Sequence, residues 1–280
     1  MNIETAINKA KYLLKIKNIK SPGLDSELLM SKVLKKNRSY ILLNLDENLK
    51  KKSLNNFLNL VKERSRGKPI AYLIEKKEFW DYEFKIKEGV LIPRPDTEIM
   101  VEQILDLTKN KQKLRILDIG TGSGCIILSI LKERKNYKGI GIDISKKCID
   151  MCKINTFTLN LTNQVKFFKS DVDNFVDAKY DLIISNPPYI NQIDLKCLEK
   201  DVYDFEPKSS LDGGIDGLSE IRKIIDKSSE LIKIKGKLIL EIAFDQKFKV
   251  KKLLNDKGFY VNKVLKDLAN NDRCIISTKI

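Results

Sequence analysis

The stretch Asp118-Ile119-Gly120-Thr121-Gly122-Ser123-Gly124 ends a short apolar run that starts at Leu114, and it leads into a helical pattern from about Cys125. Alternating glycines at a strand-to-helix turn let a ligand approach the backbone closely, and the helix start offers unpaired N–H groups. The fingerprint that cradles a pyrophosphate is G-x-G-x-x-G, whereas G-x-G-x-G after an acidic residue suits a ligand without phosphates. Outward from this turn, short apolar strands recur at residues 139–142, 165–168, 182–185 and 238–242, with helical stretches between them. Such alternation predicts a mostly parallel sheet with helices on both faces. The strands expected at 260–265 and 274–278 are joined by a loop too short for a crossover helix, so an antiparallel hairpin closes the sheet.

The ends of these strands carry polar residues on what would be one rim. Asp143, at the end of the second strand, can accept hydrogen bonds from both hydroxyls of a ribose, and Asp171, just past the third, lies where a base edge would come. The fourth strand runs into Asn186-Pro187-Pro188-Tyr189. An amide or aromatic amino nitrogen is a poor nucleophile, because its lone pair is delocalised. Its two N–H groups need acceptors that orient them, and the Asn186 oxygen and the Pro187 carbonyl can supply the pair. The prolines fix the direction of that carbonyl and limit loop entropy. Tyr189 can pack on the planar group, its ring face favouring a sulfonium charge. Transfer from a positively charged sulfur makes the nitrogen acidic, so its proton can leave late to water or a nearby acceptor.

Upstream of residue 75 the pattern is helical: Ile3, Ile7, Ala10 and Leu14 keep one face, Ser21-Pro22-Gly23 breaks the chain, and Leu24, Leu28 and Leu29, then Leu54, Phe57, Leu58 and Val61, resume it. From Glu78 the period becomes two, with Phe79, Trp80, Tyr82, Phe84 and Ile86; Gly89 and the run Val90-Leu91-Ile92 follow, which predicts a β-hairpin turning at Gly89. Pro93-Arg94-Pro95-Asp96 ends it, with Asp96 expected to cap a helix over residues 97–109.

A chain of 280 residues with 42% hydrophobic content can bury one large core and a small one. No stretch has the roughly 20 apolar residues of a membrane helix, and MNIETAINKA lacks the apolar segment of a signal peptide, so a cytoplasmic protein is expected. The absence of histidine removes every nucleophile–histidine triad. Cys148 and Cys152 would share a helix face, but without histidine the other half of a metal site is missing, and no metal is expected. The net charge of +15 comes from 53 basic residues of which only eight are arginine, and the lysines are scattered along the whole chain. That is compositional drift rather than a clustered phosphate reader, and direct nucleic-acid binding is not expected.

Taken together these residues closely resemble the release factor glutamine methyltransferase (HemK/PrmC) family over nearly the whole chain. The resemblance is carried by Arg64-x-x-Gly67-x-Pro69-x-x-Tyr72, the hairpin at Phe79, Leu91-Ile92-Pro93-Arg94-Pro95-Asp96-Thr97-Glu98, Asp118 to Gly124, Asp143 and Asn186 to Tyr189. Phe205-Glu206-Pro207, Asp216-Gly217-Leu218 with Arg222, Glu241 with Gln246, and Asp272-Arg273 also fit. Adenine-N6 methyltransferases of DNA and RNA share the Asn-Pro-Pro-Tyr type of motif, and so do glutamine methyltransferases of ribosomal proteins. The amino-terminal elements and the Pro93 to Glu98 run separate this family from them.

The resemblance implies an α/β protein: a seven-stranded class I S-adenosylmethionine-dependent methyltransferase (Rossmann-like) sheet over residues 93–280, a small all-α domain over 1–75 that helps dock the substrate, and a linking β-hairpin over 76–92. It further implies methyl transfer from S-adenosyl-L-methionine to the side-chain amide nitrogen of the glutamine in the Gly-Gly-Gln motif of class 1 peptide chain release factors, by a monomer. Cofactor contacts are expected from Gly120, Thr121, Gly122, Ser123, Gly124, Asp143, Asp171, Val172 and Asn186. Catalysis is expected from Asn186, Pro187 and Tyr189, and substrate binding from these with Pro188. Two positions depart from the pattern. Val172 stands where an aromatic residue is common, so apolar contact would replace stacking on adenine, and Asp96 stands where glutamate is commoner.

Overall fold

In a computed structural model that describes residues 1–280, the chain forms two compact units. One comprises Met1–Lys76 with Glu199–Phe205, the other Lys77–Leu198 with Glu206–Ile280.

The first unit is helical: α1 (Ile3–Ile16), α2 (Pro22–Leu34), α3 (Arg38–Leu43), α4 (Lys51–Ser65) and α5 (Ile70–Ile74). The Asn2 side chain caps α1 by accepting from Thr5 N at 3.0 Å, and Ile3, Ala6, Ile7, Ala10 and Leu14 form its buried face. The faces of α2 and α4 differ from the expected apolar stripes, since Leu24 and Leu58 are exposed while Asp25, Ser26 and Arg64 are buried. The Arg64 guanidinium is paired. Its Nε donates to Asp25 at 2.7 Å and its Nη1 to the Lys68 carbonyl at 3.0 Å, so the buried charge pair is satisfied, while Leu29, Phe57 and Val61 of the expected stripes are buried as well. The short segment Glu199–Phe205 joins this unit, with Lys20 bonded to Glu199 and the Phe205 ring beside Gly67.

Strands β1 (Lys76–Phe79) and β2 (Tyr82–Lys85) make the hairpin, but its turn lies at Trp80-Asp81 rather than at Gly89. An unbroken strand would put Phe79 and Phe84 on opposite faces; with Trp80 at φ 54° the chain reverses and the two rings meet edge-on, 6.1 Å apart. Val90 and Ile92 are buried without forming a strand. The Asp96 expectation is also corrected. Pro95–Thr97 form a 3-10 turn ahead of α6 (Glu98–Leu107), and Asp96 faces Arg273 at 3.9 Å instead of capping.

The second unit is built on seven strands, β3 (Arg115–Ile119), β4 (Lys138–Asp143), β5 (Val165–Lys169), β6 (Tyr180–Ser185), β7 (Ile232–Glu241), β8 (Phe259–Lys266) and β9 (Asp272–Lys279). Their order is β5-β4-β3-β6-β7-β9-β8, with β3 to β7 parallel and β9 antiparallel to both β7 and β8. This is the predicted α/β sheet with its terminal hairpin. On one face Leu117, Ile119, Ile183, Leu238 and Leu240 pack with Ile221 and Ile224 of the helix Ser219–Leu231 and Val250 and Leu254 of the helix Lys247–Asp256. On the other, Gly139 leaves room for Ile127 and Leu131 of α7 (Cys125–Glu133). Between β3 and β6 the chain order reverses, and at such a switch point the carboxyl ends of the strands leave a crevice.

Candidate active site

A cavity of about 440 Å³ opens at that crevice. Gly120 and Gly122, Asp143, Asp171 and Val172, and Asn186, Pro187 and Pro188 line it, so eight of the residues singled out from the sequence meet at one place.

The glycine turn is open on the cavity side. Gly120 and Gly122 have φ of 72° and 58°, and a Cβ on either would meet nothing within 4 Å, so any side chain there would occupy the cavity itself. Asp143 is held by the backbone: Gly122 N donates to its Oδ2 at 3.0 Å and Ser145 N to its Oδ1 at 2.8 Å. Burial pushes its carboxyl up, and these two N–H groups pull it back. Asp171 is exposed and accepts from Asp173 N at 3.0 Å, while Val172 is buried and belongs to the apolar core beneath. Ile142 and Ile224 continue that apolar wall.

Thr121, Ser123, Gly124 and Tyr189 do not line the cavity. Thr121 donates its hydroxyl to Asp118 Oδ2 at 2.7 Å, and the Ser123 carbonyl accepts from Asn155 Nδ2 at 2.9 Å. Asn155 is fully buried and also exchanges two hydrogen bonds with the Lys85 backbone, tying the glycine turn to the hairpin end. Asp118, 1% exposed and with Oδ1 unpartnered, has its carboxyl pushed up to about 7 by burial, against the pull of Thr121.

The Asn186 loop is fixed from behind. Ser185 Oγ donates to the Ile119 carbonyl at 2.6 Å, joining the ends of β6 and β3 across the switch point. Asn186 Nδ2 donates to Thr97 Oγ1 at 3.2 Å, which leaves its oxygen as the free end of the amide. The Tyr189 ring packs against the core and its hydroxyl donates to Glu241 Oε1 at 3.2 Å. Gln246 Nε2 donates to the carbonyls of Tyr189 and Gly217, both at 3.0 Å. Ahead of the 3-10 turn, Glu206 accepts from Arg94 Nη2 at 2.5 Å and from Ile92 N at 3.3 Å.

Thr97, Glu241, Gln246 and Glu206 were visible in the sequence only as parts of a family pattern, with no role attached, and Asn155 carried no signal at all. The arrangement offers a recess lined by two open glycines and a backbone-held aspartate, beside a proline-containing loop whose Asn186 is held by its nitrogen.

Residues 5–74 match the family described as PrmC N-terminal domain, and residues 95–200 match Methyltransferase small domain. A Buchnera aphidicola (subsp. Schizaphis graminum) protein named Release factor glutamine methyltransferase is 39% identical over 100% of this chain and 100% of its own length. One of the same name from Clostridium botulinum is 40% identical over 95% of each chain. Among solved structures, the ribosomal protein L11 methylase from Lactobacillus delbrueckii subsp. bulgaricus shares the fold, with a TM-score of 0.51 at 17% identity, over 72% of this chain and 89% of its own.

Proposed function

This chain belongs to the release factor glutamine methyltransferase family and is an S-adenosylmethionine-dependent enzyme; we propose that it methylates the side-chain amide nitrogen of the Gly-Gly-Gln glutamine in class 1 release factors at the crevice between β3 and β6.

The observation that carries the reading is the Asn186 amide, bonded through its nitrogen to Thr97 so that its oxygen is available to an acceptor's N–H. The neighbouring Pro187 carbonyl supplies the second acceptor, and together they match the two N–H groups of a primary amide. The residues also fit a phosphate-free nucleoside: two open glycines, a backbone-anchored aspartate for the ribose, and Val172 with Ile142 and Ile224 as an apolar wall for adenine. Bound there, S-adenosyl-L-methionine supplies a methyl group on a positively charged sulfur. Asn186 and Pro187 orient the acceptor; Tyr189 serves them from behind, through Glu241, and Thr121, Ser123 and Gly124 shape the turn.

The helical unit is the docking element for the release factor, supported by its separate core around Leu14, Leu29 and Phe57 and by the family match over residues 5–74. We read the enzyme as a cytoplasmic monomer that works without metal or direct nucleic-acid binding; separately, no helix is long and apolar enough to cross a membrane.

Mass spectrometry of a release factor incubated with the enzyme and S-adenosylmethionine should show one added methyl on that glutamine, and none after Gln→Ala substitution. Label appearing in DNA or RNA instead, with the release factor unmodified, would overturn the assignment in favour of an adenine-N6 enzyme.

A further inference from the structure

We propose that Glu241 is a positioning residue that sets which end of the Asn186 amide faces the cavity: as a carboxylate it draws the Thr97 hydroxyl proton toward itself and keeps the Asn186 oxygen inward, and when protonated it lets the amide turn over. This deepens the reading above and rests on Asn186 offering its oxygen to the acceptor nitrogen.

The geometry is a short chain of groups. Glu241 ends β7, is 1% exposed, accepts from the Tyr189 hydroxyl at 3.2 Å through Oε1 and keeps Oε2 free of partners. Thr97 lies beside the carboxylate and accepts from Asn186 Nδ2 at 3.2 Å. A hydroxyl has one proton, so when Thr97 accepts from Asn186 its own proton is free to point at Glu241. The direction of the chain is then decided at its end. A carboxylate only accepts, which fixes the sense Asn186 to Thr97 to Glu241. A carboxylic acid can donate, which permits the reverse sense, with Thr97 donating to the Asn186 oxygen and the NH2 turned inward. An acceptor amide would then meet N–H against N–H.

The surroundings make both forms accessible near neutrality. Tyr189 faces Glu241 from the loop after β6, Thr97 and Asp96 from the 3-10 turn, Arg273 and Cys274 from β9, and Cys125 from α7. Burial pushes the carboxyl up to about 7; Thr97, Arg273 and Tyr189 pull it down and Asp96 adds to the rise. Arg273 is itself shared with Asp267 at 2.8 Å, so its charge is only partly spent on Glu241.

The test follows the side-chain amide of Asn186 by ¹⁵N NMR in the full-length free enzyme. Its resonances should move between about pH 6 and pH 8 in the wild type, and stay fixed in Glu241→Gln and in Thr97→Val, with Thr97→Ser restoring the titration. In parallel, single-turnover methylation by the wild type should fall about tenfold across that acid limb while the Kd for S-adenosylmethionine holds. Asn186 resonances that ignore pH, or that titrate equally in both variants, overturn the proposal even if the release factor is methylated. A titrating Asn186 without methyl transfer to the release factor upholds the relay and removes the substrate assignment instead.

Discussion

Asp118 and Asp143 flank one glycine turn, and burial gives them different work. The folded value of Asp118, about 7, lies above its ordinary 3.8. Its contribution to stability is therefore present at low pH and is lost as pH rises through about 7. Asp118→Asn keeps an acceptor for Thr121 and removes the buried charge, so it is expected to stabilise the fold by about 2–4 kcal/mol at pH 8, a gain that shrinks toward zero near pH 4. Calorimetric unfolding across that range checks it; a pH-independent effect would mean that the ionisation of Asp118 carries no cost. Asp143 faces the cavity while its two oxygens hold the backbone, so Asp143→Ala should weaken S-adenosylmethionine binding by about 1.5–3 kcal/mol, measured by titration calorimetry. Asn186→Ala removes an acceptor that orients rather than anchors, and its expected signature is a fall of roughly 10²–10³ in kcat with little change in cofactor affinity. Near-normal single-turnover rates would take Asn186 out of the reaction.

Loops and helices here are held by polar pins at their backs. Gly217 has φ of 72°, and a Cβ there would stand 2.5 Å from the Tyr189 carbonyl and 2.8 Å from Gln246 Nε2. Gly217→Ala should therefore shift the Asn186 loop through the Gln246 clamp, costing about 1–3 kcal/mol in stability and lowering kcat more than it weakens the cofactor. Thermal melts paired with single-turnover rates would show it, and an unchanged rate would mean that the clamp does not reach Asn186. In the helical unit the Asp25–Arg64 pair plays the comparable part. Asp25→Ala leaves a buried guanidinium without its carboxylate, a loss of about 3–5 kcal/mol, and hydrogen exchange should show it in α2 and α4 first. Unchanged protection there would mean that solvent already screens the pair.

At the level of the whole molecule, each unit carries its own core, yet the chain visits the helical unit twice, through Met1–Lys76 and again through Glu199–Phe205. Deleting residues 1–75 should preserve S-adenosylmethionine binding and strongly raise KM for the release factor, because remote contacts that hold the substrate are lost. The same deletion strips Glu199 and Phe205 of Lys20 and Gly67, so proteases should cut near residues 199–205 in the truncated protein and not in the intact one. A folded truncation that methylates the release factor as well as the full chain does would end the docking role.

What the sequence determined by itself is everything that neighbours in the chain decide. The Asp118 to Gly124 turn, the strands with Asp143, Asp171 and Asn186 at their ends and the closing hairpin depend on local periodicity and on glycine and proline punctuation, and all of them are in place. Folding alone decided which groups meet from afar. Thr97, Asn186 and Glu241 come from three separate elements, and so do Tyr189, Gly217 and Gln246. No spacing along the chain encodes that Tyr189 turns into the core, that the hairpin reverses at Trp80, or that residues 199–205 return to the helical unit. Those outcomes were set by burial. Once the sheet excludes water, each enclosed polar group takes the partners that packing brings within reach, and that competition exists only in three dimensions.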